Sequence, residues 1–314
     1  MSEKITLSIV TATRGNFSEY WLEQLLKIKG DVQLILVYPP DANFKYINDS
    51  RIKNFKSPYR GEVMQRTIGL LNASGKYVLA LDDDDFVHPD VLEFTVKYFN
   101  KFPESWVLRL RMKKILFSDE EEIKKDWAEI TDVNQLEVLK KTKENPDPFK
   151  GGKNPGLLEL PIAPVDNKFD VRYAIWPGLE RKDMHGIHIE NFNNKIWKNQ
   201  LVQDALTELG KAMKIFGAIT WVPSWNLDRL LGLFIQAKFF QKDAIIGHWM
   251  PIPEQIRFII RPDNLKETRI YLEGDILLAK RFPQYGYFWN LFFSQLYDVP
   301  RVLGKSLKRH ILKQ

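Results

Sequence analysis

The sequence predicts an α/β fold: a mostly parallel sheet flanked by helices, interrupted by an irregular insertion and followed by a helical C-terminal extension. Three observations carry that prediction. Short apolar runs of strand length, at residues 5–10, 32–38 and 77–81, end in turn-forming residues. Between them lie stretches whose apolar residues recur at threes and fours, the period of a helix with one buried face. The alternation of strand, helix and strand is that of βαβ units with right-handed crossovers.

Taken in order, ITLSIV is rich in β-branched residues and stops at Thr11-Ala12-Thr13-Arg14-Gly15-Asn16. Ser18 is placed to cap a helix over residues 19–29, with Trp21, Leu22, Leu25, Leu26 and Ile28 on its inner face. VQLILVY is a second strand, ended by Pro39-Pro40, and residues 51–56 are a weaker third. Residues 61–90 then give a helix, a Ser74-Gly75 turn, a buried strand and an acidic loop, Asp82-Asp83-Asp84-Asp85. Pro89 opens a helix through Phe102, and residues 106–110 are a further strand. Over residues 118–173 the pattern breaks down: a charged, helix-like stretch at 119–143 runs into a Pro- and Gly-rich segment. Helices follow at 194–216, 226–240 and 269–282, with a short strand at 218–222. The chain thus divides into residues 1–110, residues 111–282 containing the insertion, and a tail, 283–314.

Composition excludes several functions. With 44% hydrophobic residues in 314, the chain can bury a large core and is not disordered in bulk. Forty-six basic against 40 acidic side chains leave a net charge of only +6, so no nucleic acid partner is expected. The lack of cysteine removes disulfides, Cys-ligated zinc and thiol nucleophiles. MSEKITLSIV has no signal-peptide pattern, and no apolar run reaches the roughly 18 to 20 residues of a spanning helix, so a cytoplasmic location is expected. The tail modifies this expectation. Residues 284–297 are aromatic and uncharged, and residues 301–314 carry Arg301, Lys305, Lys308, Arg309 and Lys313 without an acid. That pattern fits either aromatic core packing beside a solvated basic helix or peripheral contact with the inner face of an anionic membrane.

The acidic loop follows a strand buried on both faces, at the end where parallel sheets bind ligands. Four adjacent carboxylates repel one another unless a cation lies among them, although such a loop also serves simply to cap the next helix. The loops after the first, second and fourth strands meet at one sheet edge. Hydroxyls of Thr11 and Thr13, the guanidinium groups of Arg60 and Arg66, and the carboxylates converge there, a setting for a diphosphate bridged to a divalent ion. His185 and His188 form an HxxH with no third ligand at a recognisable spacing, and Trp176, Trp221, Trp225 and Trp249 suit either stacking on sugar rings or, more commonly, core packing.

Thr11-Ala12-Thr13-Arg14 after an apolar strand, Arg66 through Gly69-Leu70, Ala73-Ser74-Gly75-Lys76-Tyr77-Val78, and Leu81-Asp82-Asp83-Asp84-Asp85 to Pro89 resemble the N-terminal half of family 2 glycosyltransferases. These are inverting enzymes of the Rossmann-like GT-A fold. The resemblance implies a metal-dependent transferase of hexosyl type that moves a sugar from a nucleotide-sugar donor, a UDP-sugar, to a saccharide or lipid-linked hydroxyl acceptor. Residues 1–110 would be the donor half and 111–282 the acceptor half. Thr11, Thr13 and Arg14 would lie along base and ribose, with Arg66 near the nucleotide. Asp82 would touch the ribose, Asp84, with Asp82, would ligate Mn2+ or Mg2+, and Asp83 and Asp85 would be in support. The family's acidic residue after the second strand is missing; Tyr38-Pro39-Pro40 stands there, so either Asp41 substitutes for it or the base is held differently. For the general base the resemblance favours Asp228, at the start of a helix, with His248 as a further metal ligand; Glu273 and Asp275 are the alternatives. A nucleotidyltransferase is disfavoured because no Gly-rich phosphate loop follows the first strand, and a non-catalytic nucleotide-sugar-binding protein is the third reading.

Overall fold

The computed structural model describes residues 5–136, 138–140, 157–159, 169–176, 191–213, 227–239, 245–249, 253–261 and 271–311. The first part of the chain forms Leu7–Ala12 (β1), Glu19–Leu26 (α1), Val32–Tyr38 (β2), Ile52–Lys56 (β3), Glu62–Leu71 (α2), Tyr77–Ala80 (β4), Phe86–Val87 (β5) and Val91–Lys101 (α3). Next come Val107–Arg109 (β6), Met112–Leu116 (β7), Glu120–Lys124 (α4), Val138–Lys140 (β8), Leu157–Glu159 (β9) and Arg172–Ile175 (α5). The remainder forms Lys195–Lys198 (β10), Asn199–Met213 (α6), Leu227–Phe239 (α7), Ile245–Trp249 (β11), Ile256–Ile260 (β12), Leu272–Arg281 (α8) and Gly286–Ile311 (α9).

The apolar runs become the centre of a six-stranded sheet ordered β3-β2-β1-β4-β10-β6. Strands β1 to β4 are mutually parallel, as the βαβ spacing requires, and β2 is buried at every position because both sheet faces are covered. Ser18 caps α1, its hydroxyl accepting the Trp21 N–H at 3.0 Å. The turn before β4 needs Gly75: a Cβ there would lie 2.6 Å from the Ser8 nitrogen and 2.8 Å from the Leu7 carbonyl carbon, both backbone atoms.

Two helices expected from sequence are shorter in the structure, for physical reasons. The periodic run at 194–216 turns helical only at Asn199. Its first residues are β10, antiparallel to both β4 and β6. Ile196 and Trp197 are both buried there, since successive residues of a strand meet opposite, equally covered faces of the sheet. Asn199 marks the change, its amide donating to the carbonyls of Ala73 and Gly75 at 2.8 Å each. Because β10 fills the gap between β4 and β6, residues 1–110 do not complete this sheet alone. Among its described residues, the charged stretch at 119–143 keeps the five-residue α4 and one 3-10 turn, Val133–Gln135, as helix. Arg257 holds the chain open beyond it, donating to the carbonyls of Ile123 and Lys125 at 3.0 and 2.6 Å, with its guanidinium 4.0 Å from the Trp127 ring centre.

Two small sheets complete the described structure. β12 pairs in parallel with β7 and antiparallel with β5, while β11 lies between β8 and β9, so the irregular insertion contributes two strands. Helices α7 and α8 form close to where periodicity places them, and the aromatic segment becomes the first half of α9. The strand expected at 218–222 and the His185/His188 pair lie outside the described residues.

Candidate active site

The loops that follow β1, β2 and β4 are stitched together at their C-terminal ends. The Thr13 N–H donates to the Val37 carbonyl at 3.0 Å, and the Leu81 N–H to Val10 at 3.0 Å. Gln65, on α2, donates one amide group to the carbonyls of Thr13 (2.9 Å) and Val37 (2.6 Å). Thr13 Oγ1 accepts from the Gly15 N–H and donates to Asp83 at 2.7 Å. Gln65 was not singled out by sequence. Its position one residue before Arg66, on the helix face turned toward the loops, is the signal that locates it.

The four aspartates have four environments. Asp82 pairs with Arg66, whose side chain is 3% exposed and whose Nε also donates to Glu62 at 2.7 Å. Burial opposes the charge on Arg66, but Asp82, Glu62 and Asp228 together outweigh it and raise its pKa above the ordinary value. Asp83 is taken by Thr13. Asp84 is pushed up from the usual carboxylate range by burial and then by Asp82, with Arg261 opposing, its Nε 2.9 Å from the carboxylate. Asp85 is a structural joint. It is 1% exposed, accepts the Ile259 N–H at 3.0 Å and the Asn194 amide at 3.2 Å, and its carbonyl takes the Trp21 indole N–H at 2.9 Å. Burial, then the Asp82 charge, pushes its carboxyl well above the ordinary value.

Tertiary structure brings Asp228 to the same place. At the start of α7, its carboxylate accepts the Asn193 N–H at 2.6 Å, and its carbonyl accepts the Phe192 N–H at 2.9 Å. Burial raises its pKa; the Asn193 bond, Lys195 and Arg66 lower it, and Asp82 raises it again. Lys195 is fully buried on β10 and donates to the Asn191 carbonyl. Its pKa is lowered to about 7, by burial first and the Arg109 charge second, against the pull of Asp228. Neither Lys195 nor Arg261 was predicted from sequence, and neither has a local motif that would reveal it.

Other expected residues lie elsewhere or are differently engaged. Thr11 is buried within β1, whereas Arg14 is exposed in the following loop. Asp41 forms an exposed ion pair with Arg60 at 2.7 Å. Asp275 is 0% exposed and pairs with Arg229 at 2.7 Å, which joins α8 to α7; Glu273, two residues before it, is half-buried. His248 belongs to β11, paired with Val138 and Leu158 in the small β8-β11-β9 sheet. Among the described residues, no three His, Asp or Glu side chains are grouped to hold a metal ion unaided. The Asp82 charge is one cause of the raised Asp84 pKa, and a divalent ion between the two carboxylates would relieve it.

Residues 40–156 match the family model described as Glycosyl transferase family 2. The uncharacterized glycosyltransferase RC0461 of Rickettsia conorii is 38% identical over 53 residues, 17% of this chain and 9% of that protein. S. aureus TarS 1-349, whose crystal structure is a complex with UDP-GlcNAc, aligns with a TM-score of 0.51 and 14% identity over 88% of this chain and 66% of that one. At that identity the likeness is one of fold: a GT-A-like, parallel-rich α/β sheet flanked by helices. The chain therefore spans under a tenth of the curated relative and about two thirds of the TarS fragment. The matched region holds β3, α2, β4 and the whole acidic loop, and it is over this stretch that the chain is similar to glycosyl transferase family 2.

Proposed function

We propose that the chain is an inverting glycosyltransferase that moves a sugar from a nucleotide-sugar donor to the hydroxyl of a saccharide or lipid-linked acceptor. One observation carries the proposal: Asp228, 146 positions beyond Asp82 in sequence, shares the buried charge of Arg66 with it. The acidic loop and a buried carboxyl of raised pKa are therefore coupled through the charge of one guanidinium, which supports placing donor and base in one site. The fold neighbour TarS holds UDP-GlcNAc, and a UDP-sugar is the donor class proposed here.

In this reading Thr13, Arg14 and Asp83 line the nucleoside side, and Asp82 is oriented toward the ribose by Arg66. Asp84, with Asp82, would hold Mn2+ or Mg2+, which supplies charge neutralisation for the departing diphosphate. Asp228 takes the proton of the acceptor hydroxyl as its oxygen attacks the anomeric carbon. The new C–O bond forms as the bond to the diphosphate breaks, and the electron pair leaves with the nucleoside diphosphate.

Incubation with a panel of nucleotide sugars and Mn2+ separates the alternatives. Slow release of free sugar supports transfer. Release of pyrophosphate would instead indicate a nucleotidyltransferase, and a thermal shift without turnover a non-catalytic binder. Asp84→Asn is expected to raise the Kd for UDP in Mn2+ by about tenfold or more, with little change in EDTA, as isothermal titration calorimetry would show.

The acceptor side of the proposal extends to a lipid surface. Phe169, Val171, Ile175 and Trp176, at and around α5, are 42 to 69% exposed. They are fixed to α9 by the Phe169–Phe293 ring contact at 5.7 Å and by the Tyr297 hydroxyl, which donates to Ala174. In sequence α9 continues into Arg301, Lys305 and Lys308. Among the described residues no helix is long and apolar enough to cross a membrane. An apolar patch that runs on into a basic segment suits the surface of an anionic bilayer. In flotation, recovery with phosphatidylglycerol vesicles is expected to exceed that with phosphatidylcholine, and Ile175→Ser/Trp176→Ser to lose most of the difference. Equal recovery of both proteins with both vesicles would remove the membrane contact.

A further inference from the structure

We propose that Arg261 is a built-in counter-cation of the acidic loop, holding Asp84 in the donor-free protein and passing to the donor diphosphate when a divalent ion takes Asp84. This rests on the nucleotide-sugar reading above but assigns a role outside the acidic loop and the base.

The placement of Arg261 is structural. Asp85 accepts the Ile259 N–H, so β12 is tied to the acidic loop two residues before Arg261. The parallel register of β12 with β7 sets Ile260 opposite Leu116, and the Phe117 N–H donates to the Ile260 carbonyl at 2.9 Å. The Arg261 guanidinium consequently lies 4.9 Å from the Phe117 ring centre and presents Nε to Asp84 at 2.9 Å.

The two arginines of the loop differ in kind. Arg66 is 3% exposed and gripped by two carboxylates, so its position is fixed. Arg261 is 48% exposed, and Asp84 is its sole hydrogen-bonding partner among the described residues. A half-exposed ion pair is weak and readily exchanged, whereas a divalent ion sharing its shell with a diphosphate binds the same carboxylate more strongly. The displaced guanidinium has a planar fork of N–H donors that matches phosphate oxygens in bidentate fashion. Its short travel keeps it beside the phosphates, where it offsets the negative charge that grows on the leaving group. Arg261 is on this account a metal-exchanged positioning residue.

The test uses the whole chain, Arg261→Gln and Arg261→Lys, with two binding readouts. Free Mn2+ followed by electron paramagnetic resonance measures binding of the ion alone, and calorimetry measures UDP at saturating Mn2+. Arg261→Gln is expected to tighten Mn2+ binding by about fivefold, because its competitor is gone. The same change is expected to weaken UDP by about tenfold, because a charged phosphate partner is gone. Arg261→Lys should keep the Mn2+ constant near wild type and recover only part of the UDP affinity. A thermal midpoint matching wild type shows that both variants fold. Unchanged Mn2+ binding in Arg261→Gln would overturn the exchange, whatever happens to UDP. Failure of the wild type to bind UDP with or without Mn2+ would instead overturn the nucleotide-sugar reading, a result distinguishable from the first.

Discussion

Asp228→Asn is expected to lower kcat by a factor of about 100 to 10,000, the usual contribution of a general base, while the Kd for UDP changes by less than about twofold. The substitution is suited to the question. An asparagine Oδ1 can still accept the Asn193 N–H that holds the wild-type carboxylate at 2.6 Å, and burial penalises only the charged form. The fold is therefore retained, and chemistry alone is removed. The sign of the pH effect follows from the raised pKa. A base must be ionised, so kcat/KM should fall as pH drops through a value above the ordinary carboxylate range. Lys195 tunes this limb from β10: its charge lowers the Asp228 pKa, so Lys195→Met should move the limb to higher pH. A pH–rate profile for the three proteins reads both effects. For stability the sign is the reverse. A carboxyl with a raised folded-state pKa favours the native state most at low pH, and that contribution is lost as pH rises from the ordinary value through the raised one. Full activity in Asp228→Asn would move the base to Glu273 or Asp275; of these, Asp275 is already neutralised by Arg229 and shut from solvent.

Arg66→Met is expected to cost about 1 to 3 kcal/mol of folding stability, less than the loss of one partner from a fully buried pair, because the stranded Asp82 and Glu62 are 37% and 55% exposed and so partly screened by water. The guanidinium is the countercharge of Asp82 and Glu62 and also acts on Asp228, and without it Asp82 and Glu62 lose the cation they pair with. Urea denaturation at neutral pH measures the loss through the shift of midpoint at unchanged m. Arg66→Met/Asp82→Asn should recover part of it, since one of the stranded charges is gone. A loss below about 1 kcal/mol, the scale of an exposed pair, would show that Arg66 is not the electrostatic centre of the site. Lysine is not an adequate substitute: a single ammonium cannot donate to Glu62 through one nitrogen and Asp82 through another.

Much of the donor side is legible in the sequence because its signals are local. The strands at 7–12, 32–38 and 77–80 announce themselves as apolar runs bounded by turns, Ser18 as a cap, and Gly75 as a place where no side chain fits. The convergence of Thr13, Arg66 and the aspartates follows from strand order alone once the sheet is parallel. The helix predicted at 194–216 shows the limit. Residues 195–198 carry the same apolar period as the helix after them, and only the gap between β4 and β6 makes them a strand. Arg257 likewise unwinds a stretch more than 130 residues before it, through carbonyls that a charge pattern does not register.

The sequence by itself determined the fold class, the sheet edge that holds the candidate site, and the residue types gathered there, because each depends on neighbours within a few positions. Only the tertiary structure decided how the four aspartates divide, one to a threonine, one to each of two arginines and one to the frame. It also decided that Asp228 lies within electrostatic reach of Arg66 and that Arg261 pairs with Asp84. Those facts depend on burial and charge contributed by strands and helices far apart in the chain, and such fields add up only once the chain has folded.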